Sequence, residues 1–238
     1  IDDHRTIIEL FVAGALAVGV GFVISAYTRV TNPQAAELGL IVGPSVGFLI
    51  LVVASALFWS SRLGKAREMR KLVSSIPWGG EEVVLDLGCG RGLAMVDAAK
   101  RLDTGYAIGV DTWPKSRLSG NDPRSIWANA EVDKVGDKMV PVRGLALNLP
   151  FADGSIDVVL SGVAVHRLAS RREREALFSE IHRVLRDGGR VGILDAGNGN
   201  QYASMLRALG LLDVEMHRLR FSSFPPFHVV IGRKPYGA

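Results

Sequence analysis

Two stretches near the start of the chain carry no charged residue: 10–28 over 19 positions and 38–61 over 24. A bilayer core needs ~20 helical residues. Between the two runs lie Arg29, Glu37 and an Asn32-Pro33 turn signal. The pattern predicts two apolar helices, about residues 8–28 and 38–60, joined by a tight turn. From residue 62 the pattern changes. Leu63, Ala66, Met69, Val73 and Ile76 recur at helical spacing among Arg62, Lys65, Arg67, Arg70 and Lys71. That predicts a basic amphipathic helix over 62–76, either interfacial or capping the domain that follows. Beyond residue 79, short apolar runs (83–87, 107–110, 156–160, 191–194) alternate with helical patterns (93–102, 124–135, 171–186, 201–209). Such alternation predicts a doubly wound α/β domain with a mostly parallel sheet. Segments 214–221 and 228–233 read as a closing antiparallel hairpin, and Ser170 with Glu173 as a capping box opening the helix at 171.

The domain boundaries expected are therefore a helical hairpin over 1–61, a basic linker helix over 62–78 and an α/β domain over 79–238. A secretory signal would have a single shorter apolar run and a small-residue cleavage site, so two runs point to a transmembrane hairpin. The alternative is a pair of buried helices in a soluble protein. Ala13, Ala17, Gly21 and Ser25 are spaced by four, as are Gly39, Gly43 and Gly47. Each set makes a smooth ridge that lets backbones approach closely, within one chain or between two copies in a homo-oligomer. Pro44 should kink the second span.

Charge sets the orientation. Five basic residues follow the second span, against Arg29 in the connecting loop, and basic flanks stay cytoplasmic. Both termini and the α/β domain are expected on the cytoplasmic side of an integral membrane protein, with the lipid bilayer as a partner. The mean hydropathy of +0.22 is explained by the first sixty residues. Two of the 28 basic and four of the 24 acidic residues fall before residue 60, so the remainder carries a surplus of six positive charges. That balance suits anionic headgroups, and no nucleic-acid-binding motif accompanies it. The single cysteine, Cys89, excludes an internal disulfide and fits a reducing compartment. The chain begins at Ile1 rather than methionine, which reads as a trimmed start.

Candidate chemistry centres on Val83-Val84-Leu85-Asp86-Leu87-Gly88-Cys89-Gly90-Arg91-Gly92, a buried strand running into a glycine turn and a helix start. A dinucleotide site would have glycine three positions beyond Gly90, where Leu93 stands, and a Walker loop would have Gly-Lys-Ser/Thr. Twenty-one residues after Gly90, the strand 107–110 ends in Asp111, an offset at which an acid reaches both ribose hydroxyls of a nucleotide-type ligand.

The turn resembles the first motif of the class I S-adenosylmethionine (SAM) methyltransferases, (D/E)-x-G-x-G-x-G. Two further runs are similar to that family. Gly144-Leu145-Ala146-Leu147-Asn148-Leu149-Pro150-Phe151-Ala152-Asp153-Gly154-Ser155-Ile156-Asp157 matches G-D-A-x-x-L-P-F-x-D-x-S-F-D. Leu185-Arg186-Asp187-Gly188-Gly189 matches L-(R/K)-P-G-G. The resemblance covers residues 72–235. It implies a Rossmann-like fold with a seven-stranded sheet, SAM as cofactor and S-adenosylhomocysteine as product. The cofactor residues it implies are Asp86, Gly88, Cys89, Gly90, Gly92, Asp111, Thr112, Trp113, Leu145, Ala146 and Ser161. One position departs from the family: Leu145 stands where an Asp usually accepts from the adenine amino group.

Trp113 is expected against the ribose or adenine, and Trp127 in the core. Residues 112–123, broken by Pro114, Gly120 and Pro123, are expected to form a lid or to shape the acceptor pocket, with Arg117 and Asn121 lining it. Beyond the fourth strand, Val163 and His166 should border the transferring methyl. His166 is the residue there suited to act as a general base, or else it packs and orients the loop. His182, His217 and His228 lack metal-ligand spacing, and no metal site is expected. The motifs are shared by quinone, sterol, arsenite and thiol enzymes. The expected acceptor is therefore a small lipophilic molecule: a quinone or prenylated ring, a lipid amine or a thiol. A rival reading is a non-catalytic SAM-binding membrane sensor or assembly protein.

Overall fold

The computed structural model describes residues 4–59, 64–114, 122–219 and 227–237, which fall into two compact units, Ile1–Gly64 and Lys65–Ala238. In the first unit, α1 (His4–Thr28) and α2 (Pro33–Trp59) pack on each other through glycine. A Cβ on Gly43 would lie 2.5 Å from the Cα of Gly21, and one on Gly21 would lie 2.5 Å from the Gly39 carbonyl oxygen. The ridges of small residues thus meet within one chain. Helix α2 continues through Pro44, whose ring sits at this same close approach. Large apolar side chains such as Leu16, Phe22, Ile41 and Phe48 point outward. Segments Ile8–Thr28 and Pro33–Phe58 are long and apolar enough to cross a bilayer.

The second unit is a seven-stranded sheet in the order β3-β2-β1-β4-β5-β7-β6. Its strands are β1 (Val83–Leu87), β2 (Tyr106–Asp111), β3 (Met139–Arg143), β4 (Ile156–Gly162), β5 (Leu185–Asp195), β6 (Leu212–Leu219) and β7 (Phe227–Arg233). The first five are parallel, and β7 runs antiparallel to both β5 and β6. Alternation along β1 divides the core. Val84 packs on one face with Met69, Leu72 and Val73 of α3 (Lys65–Ser75) and with Met95 of α4 (Leu93–Ala99). Leu85 and Leu87 pack on the other with Leu177, Phe178 and Ile181 of α6 (Arg171–Val184) and Leu206 of α7 (Gly199–Ala208). The basic helix α3 therefore caps the sheet, with its apolar stripe in the core.

Three expectations need correction. Helix α6 stops at Val184, two residues before the predicted end, because Leu185 turns extended to pair with Ile156 of β4. Helix α4 ends at Ala99, three residues early. In α5 (Pro123–Asp133), Trp127 is 45% exposed and not in the core. Pro123 and the Asp122 cap fix the phase of that helix so that Ile126 and Ala130 face inward. The capping box of Ser170 and Glu173 forms as expected.

Candidate active site

The strand order reverses direction at β1, whose neighbours are β2 and β4, so a crevice opens beyond their carboxyl ends. Gly88 and Gly92 take φ values of 69° and 81°, a region that favours glycine. A Cβ on Gly88 would lie 2.5 Å from the Ala164 Cβ, so glycine is what lets the turn after β1 pass the loop after β4. Hydrogen bonds lace the turn to the end of β2. The Gly88 N–H donates to the Val110 carbonyl (2.8 Å) and the Gly90 N–H to Asp111 Oδ2 (3.0 Å). Asp111 Oδ1 accepts from the Trp113 N–H (2.8 Å), and the Trp113 indole N–H returns to the Gly90 carbonyl (2.9 Å). Arg143 donates to the Thr112 carbonyl (3.0 Å) and holds its guanidinium 5.9 Å from the Trp113 ring centre. Trp113 is buried, and its ring braces the turn. The Asp111 carboxylate uses two of its roughly four acceptor positions on backbone and keeps the rest.

Asp86 lies buried beneath the turn and accepts from the Met95 N–H. Burial, reinforced by the nearby Asp111 carboxylate, pushes its pKa up to about 7. Two carboxylates converging under a glycine turn favour a cationic ligand. Cys89 is buried too, and burial together with Asp86 pushes its thiol pKa up, leaving it protonated and inert. Gly109 makes room for it: a Cβ there would sit 2.7 Å from the Cys89 sulfur.

The segment after β3 holds Leu145, 62% exposed, and Ala146, half-buried against the core. Its continuation is clamped from α6. Arg183 donates to the carbonyls of Leu149 (3.0 Å) and Phe151 (2.8 Å) and to Asp153 Oδ1 (2.7 Å), while Glu180 accepts from the Leu149 N–H (2.8 Å). The Arg183 guanidinium in turn holds the Glu180 carboxyl below its ordinary pKa.

On the β4 side, Ser161 is buried and its hydroxyl donates to the Leu87 carbonyl (3.1 Å), so it ties β4 to β1. Val163 sits at φ 59°, a conformation that strains a β-branched residue, with its N–H on the Leu194 carbonyl (2.7 Å). His166 follows in a short 3-10 turn, Val165–Arg167. Its Nδ1 pairs with Asp195 Oδ1 at 2.7 Å and its backbone N–H donates to Asp195 Oδ2 (3.1 Å). Asp195 ends β5 and is fully buried; its Oδ1 also accepts from the Gly197 N–H (2.9 Å). Asp195 was not among the residues singled out from sequence. The available signal was its position, an acid closing a parallel strand as Asp111 closes β2.

The structure thus gathers Asp86, Gly88, Cys89, Gly90, Gly92, Asp111, Thr112 and Trp113 at the ends of β1 and β2. It brings Val163 and His166 alongside through the Gly88–Ala164 approach. Arg117 and Asn121 lie outside the described residues. Among the described residues no cluster of His, Cys, Asp or Glu could hold a metal ion.

Residues 85–193 match the family model described as a methyltransferase domain. The chain is 34% identical over 119 residues to a demethylmenaquinone methyltransferase of Roseiflexus castenholzii, covering 49% of this chain and 44% of that protein. It is 30% identical over 143 residues to a chloroplastic 2-phytyl-1,4-beta-naphthoquinone methyltransferase of Arabidopsis thaliana, covering 58% and 51%. An arsenite methyltransferase of Halobacterium salinarum is 37% identical over 119 residues, covering 48% and 27%. The chain spans about half the length, or less, of these curated relatives. Among solved structures, geranyl diphosphate methyltransferase in complex with SAM shares the fold at a TM-score of 0.59 and 16% identity, covering 71% of this chain and 85% of that one.

Proposed function

We propose, from the premise that the α/β unit of this chain belongs to the class I SAM-dependent methyltransferases, that the protein methylates a small lipophilic acceptor at a membrane surface. The observation that carries the reading is the glycine turn laced to Asp111 at the strand-order reversal, with Asp86 beneath it. SAM, when bound, supplies a sulfonium methyl and leaves as neutral S-adenosylhomocysteine. The residues present suit it. Asp86 and Asp111 offer negative charge to a cationic ligand, and Asp111 keeps acceptor positions for ribose hydroxyls. Gly88, Gly90 and Gly92 let backbone approach closely, and Leu145 with Ala146 offers the adenine ring apolar packing in place of a carboxylate.

Two observations favour a lipophilic acceptor. The first unit has helices apolar enough to hold the chain in a bilayer, and two of the relatives named above are by name quinone methyltransferases. The basic side chains of α3 and its flank support a cytoplasmic position for the α/β unit, close to anionic headgroups. The test is transfer of radiolabelled methyl from SAM, with the detergent-solubilised full chain and a lipid extract. Label should enter the organic phase with the intact protein and fail to do so with Gly90→Arg. Absence of SAM binding by the intact protein would overturn the reading.

A further inference from the structure

Resting on that reading, we infer that Lys65, at the start of α3, is a cofactor-binding residue that pairs with the carboxylate on the methionine part of SAM. The direction of α3 places it. A Cβ on Gly192 of β5 would lie 3.1 Å from Leu72 Cδ1, and Gly192 is level with Leu160 of β4. One turn earlier in the helix, Met69 reaches the last residue of β4: a Cβ on Gly162 would lie 2.7 Å from its Cε. Helix α3 thus runs against the strands, and its first turn points towards their carboxyl ends. Lys65 stands four residues before Met69, about 6 Å further along the helix, beyond the strand ends where the crevice opens. It also stands on the inward face. Lys65, Met69, Leu72 and, just past the helix, Ile76 share one stripe, and the last three are buried. Arg67 and Arg70 are exposed, and Lys71 pairs with Glu68 at 2.8 Å. Lys65 is half-buried, and its positive charge acts on Asp86, the carboxylate beneath the glycine turn. A cation therefore occupies the crevice end of an otherwise apolar stripe.

The ligand's own charges account for that cation. The methionine part of SAM carries an ammonium and a carboxylate beside the sulfonium. Asp86 and Asp111 attract the two positive groups and repel the negative one. A lysine among them offsets the repulsion and gives the carboxylate a charge-assisted donor. Its flexible stem and compact ammonium suit a single point of charge. Two other basic side chains near the turn are placed differently. Arg143 is spent on the Thr112 carbonyl and lies over Trp113, and Arg91 is exposed. At the far end of the ligand Leu145 offers the adenine no carboxylate, which leaves more of the recognition to the methionine end. In sequence, only residues 60–64 separate Lys65 from the end of α2 at Trp59. The segment that leaves the helical hairpin is thus the one that reads the cofactor's carboxylate.

The test measures binding by calorimetry, with the full chain in detergent micelles and two ligands: SAM, and decarboxylated SAM, which lacks only the carboxylate. The natural chain should prefer SAM by on the order of 30-fold, the worth of a hydrogen bond to a charged group. Lys65→Gln should lose SAM affinity by that factor and keep its affinity for the decarboxylated ligand within about threefold, so that the preference disappears. Lys65→Met, which extends the apolar stripe, carries the same expectation and serves if Lys65→Gln fails to fold. Lys65→Arg should keep most of the preference, and Arg91→Gln all of it. Four results would each overturn the assignment and leave the methyltransferase reading standing. They are equal affinity of the natural chain for both ligands, a preference that survives in Lys65→Gln or Lys65→Met, equal weakening towards both ligands in those variants, and loss of the preference in Arg91→Gln. Failure of the natural chain to bind SAM overturns the underlying reading.

Discussion

The two sides of the crevice are built by different means. On the β1–β2 side the fixed elements are backbone: a glycine turn, carbonyls and N–H groups, and two carboxylates that hold them. On the β4–β5 side the fixed element is a pair of side chains, His166 and Asp195, 29 residues apart and joined across neighbouring strands. Backbone-built sites tolerate few residue types and leave a dense local signature. A side-chain pair leaves a weak one, because either partner alone is an ordinary residue. The first side suits a ligand shared by many enzymes, and the second a ligand particular to this one.

The sharpest break of this contrast is Gly88→Val. The new side chain meets Ala164 and must adopt a left-handed backbone conformation, at a cost on the order of 3 kcal/mol. SAM affinity measured by calorimetry should fall by about 100-fold or more, while the His166–Asp195 contact persists. Survival of binding would show that the two loops can part freely.

Asp86→Asn separates charge from shape. Folding raises the Asp86 pKa from 3.8 to about 7, so the ligand-free chain takes up a proton on folding between those values. Its stability therefore falls as pH rises from about 4 to about 7, and stays lowered above that. In the Asn variant that loss is absent, so the Tm advantage of the variant should grow from pH 5 to pH 8. SAM affinity should strengthen over the same range in the natural chain and stay weak and flat in the variant. A constant Tm difference would remove Asp86 as the titrating group.

Smaller effects are expected where the contacts are scaffolding. Arg183→Ala frees the carbonyls of Leu149 and Phe151, and should cost about 1–3 kcal/mol in denaturant unfolding. Ser161→Ala removes one hydrogen bond to Leu87, worth about 1 kcal/mol. SAM affinity should change less than about twofold there; a larger loss would mean that the hydroxyl also serves the ligand.

Legibility followed the same division. Alternation gave the parallel sheet and the closing hairpin because buried strands and capped helices impose local periodicity. The glycine turn and Asp111 were legible because backbone conformation and a fixed βαβ offset demand them. Trp113 was read by position as a ligand-facing ring; that its indole N–H and backbone also pair with Gly90 and Asp111 is something spacing does not encode. Trp127 was read as core from its place on the helix, whereas the helix cap sets which face turns inward. Asp195 was passed over, although it closes a strand as Asp111 does, because its partner lies in the turn after another strand.

The glycine seam of the hairpin also shapes how the chain can vary over evolutionary time. At positions 21 and 43 the two backbones nearly touch, so any larger residue forces the helices apart. Outward positions such as Leu16 and Phe48 meet no such limit and answer only to hydrophobicity. Substitution in the outer coat therefore leaves the pairing of the two helices intact while the seam stays frozen, so the hairpin separates what its surface meets from how its helices are held.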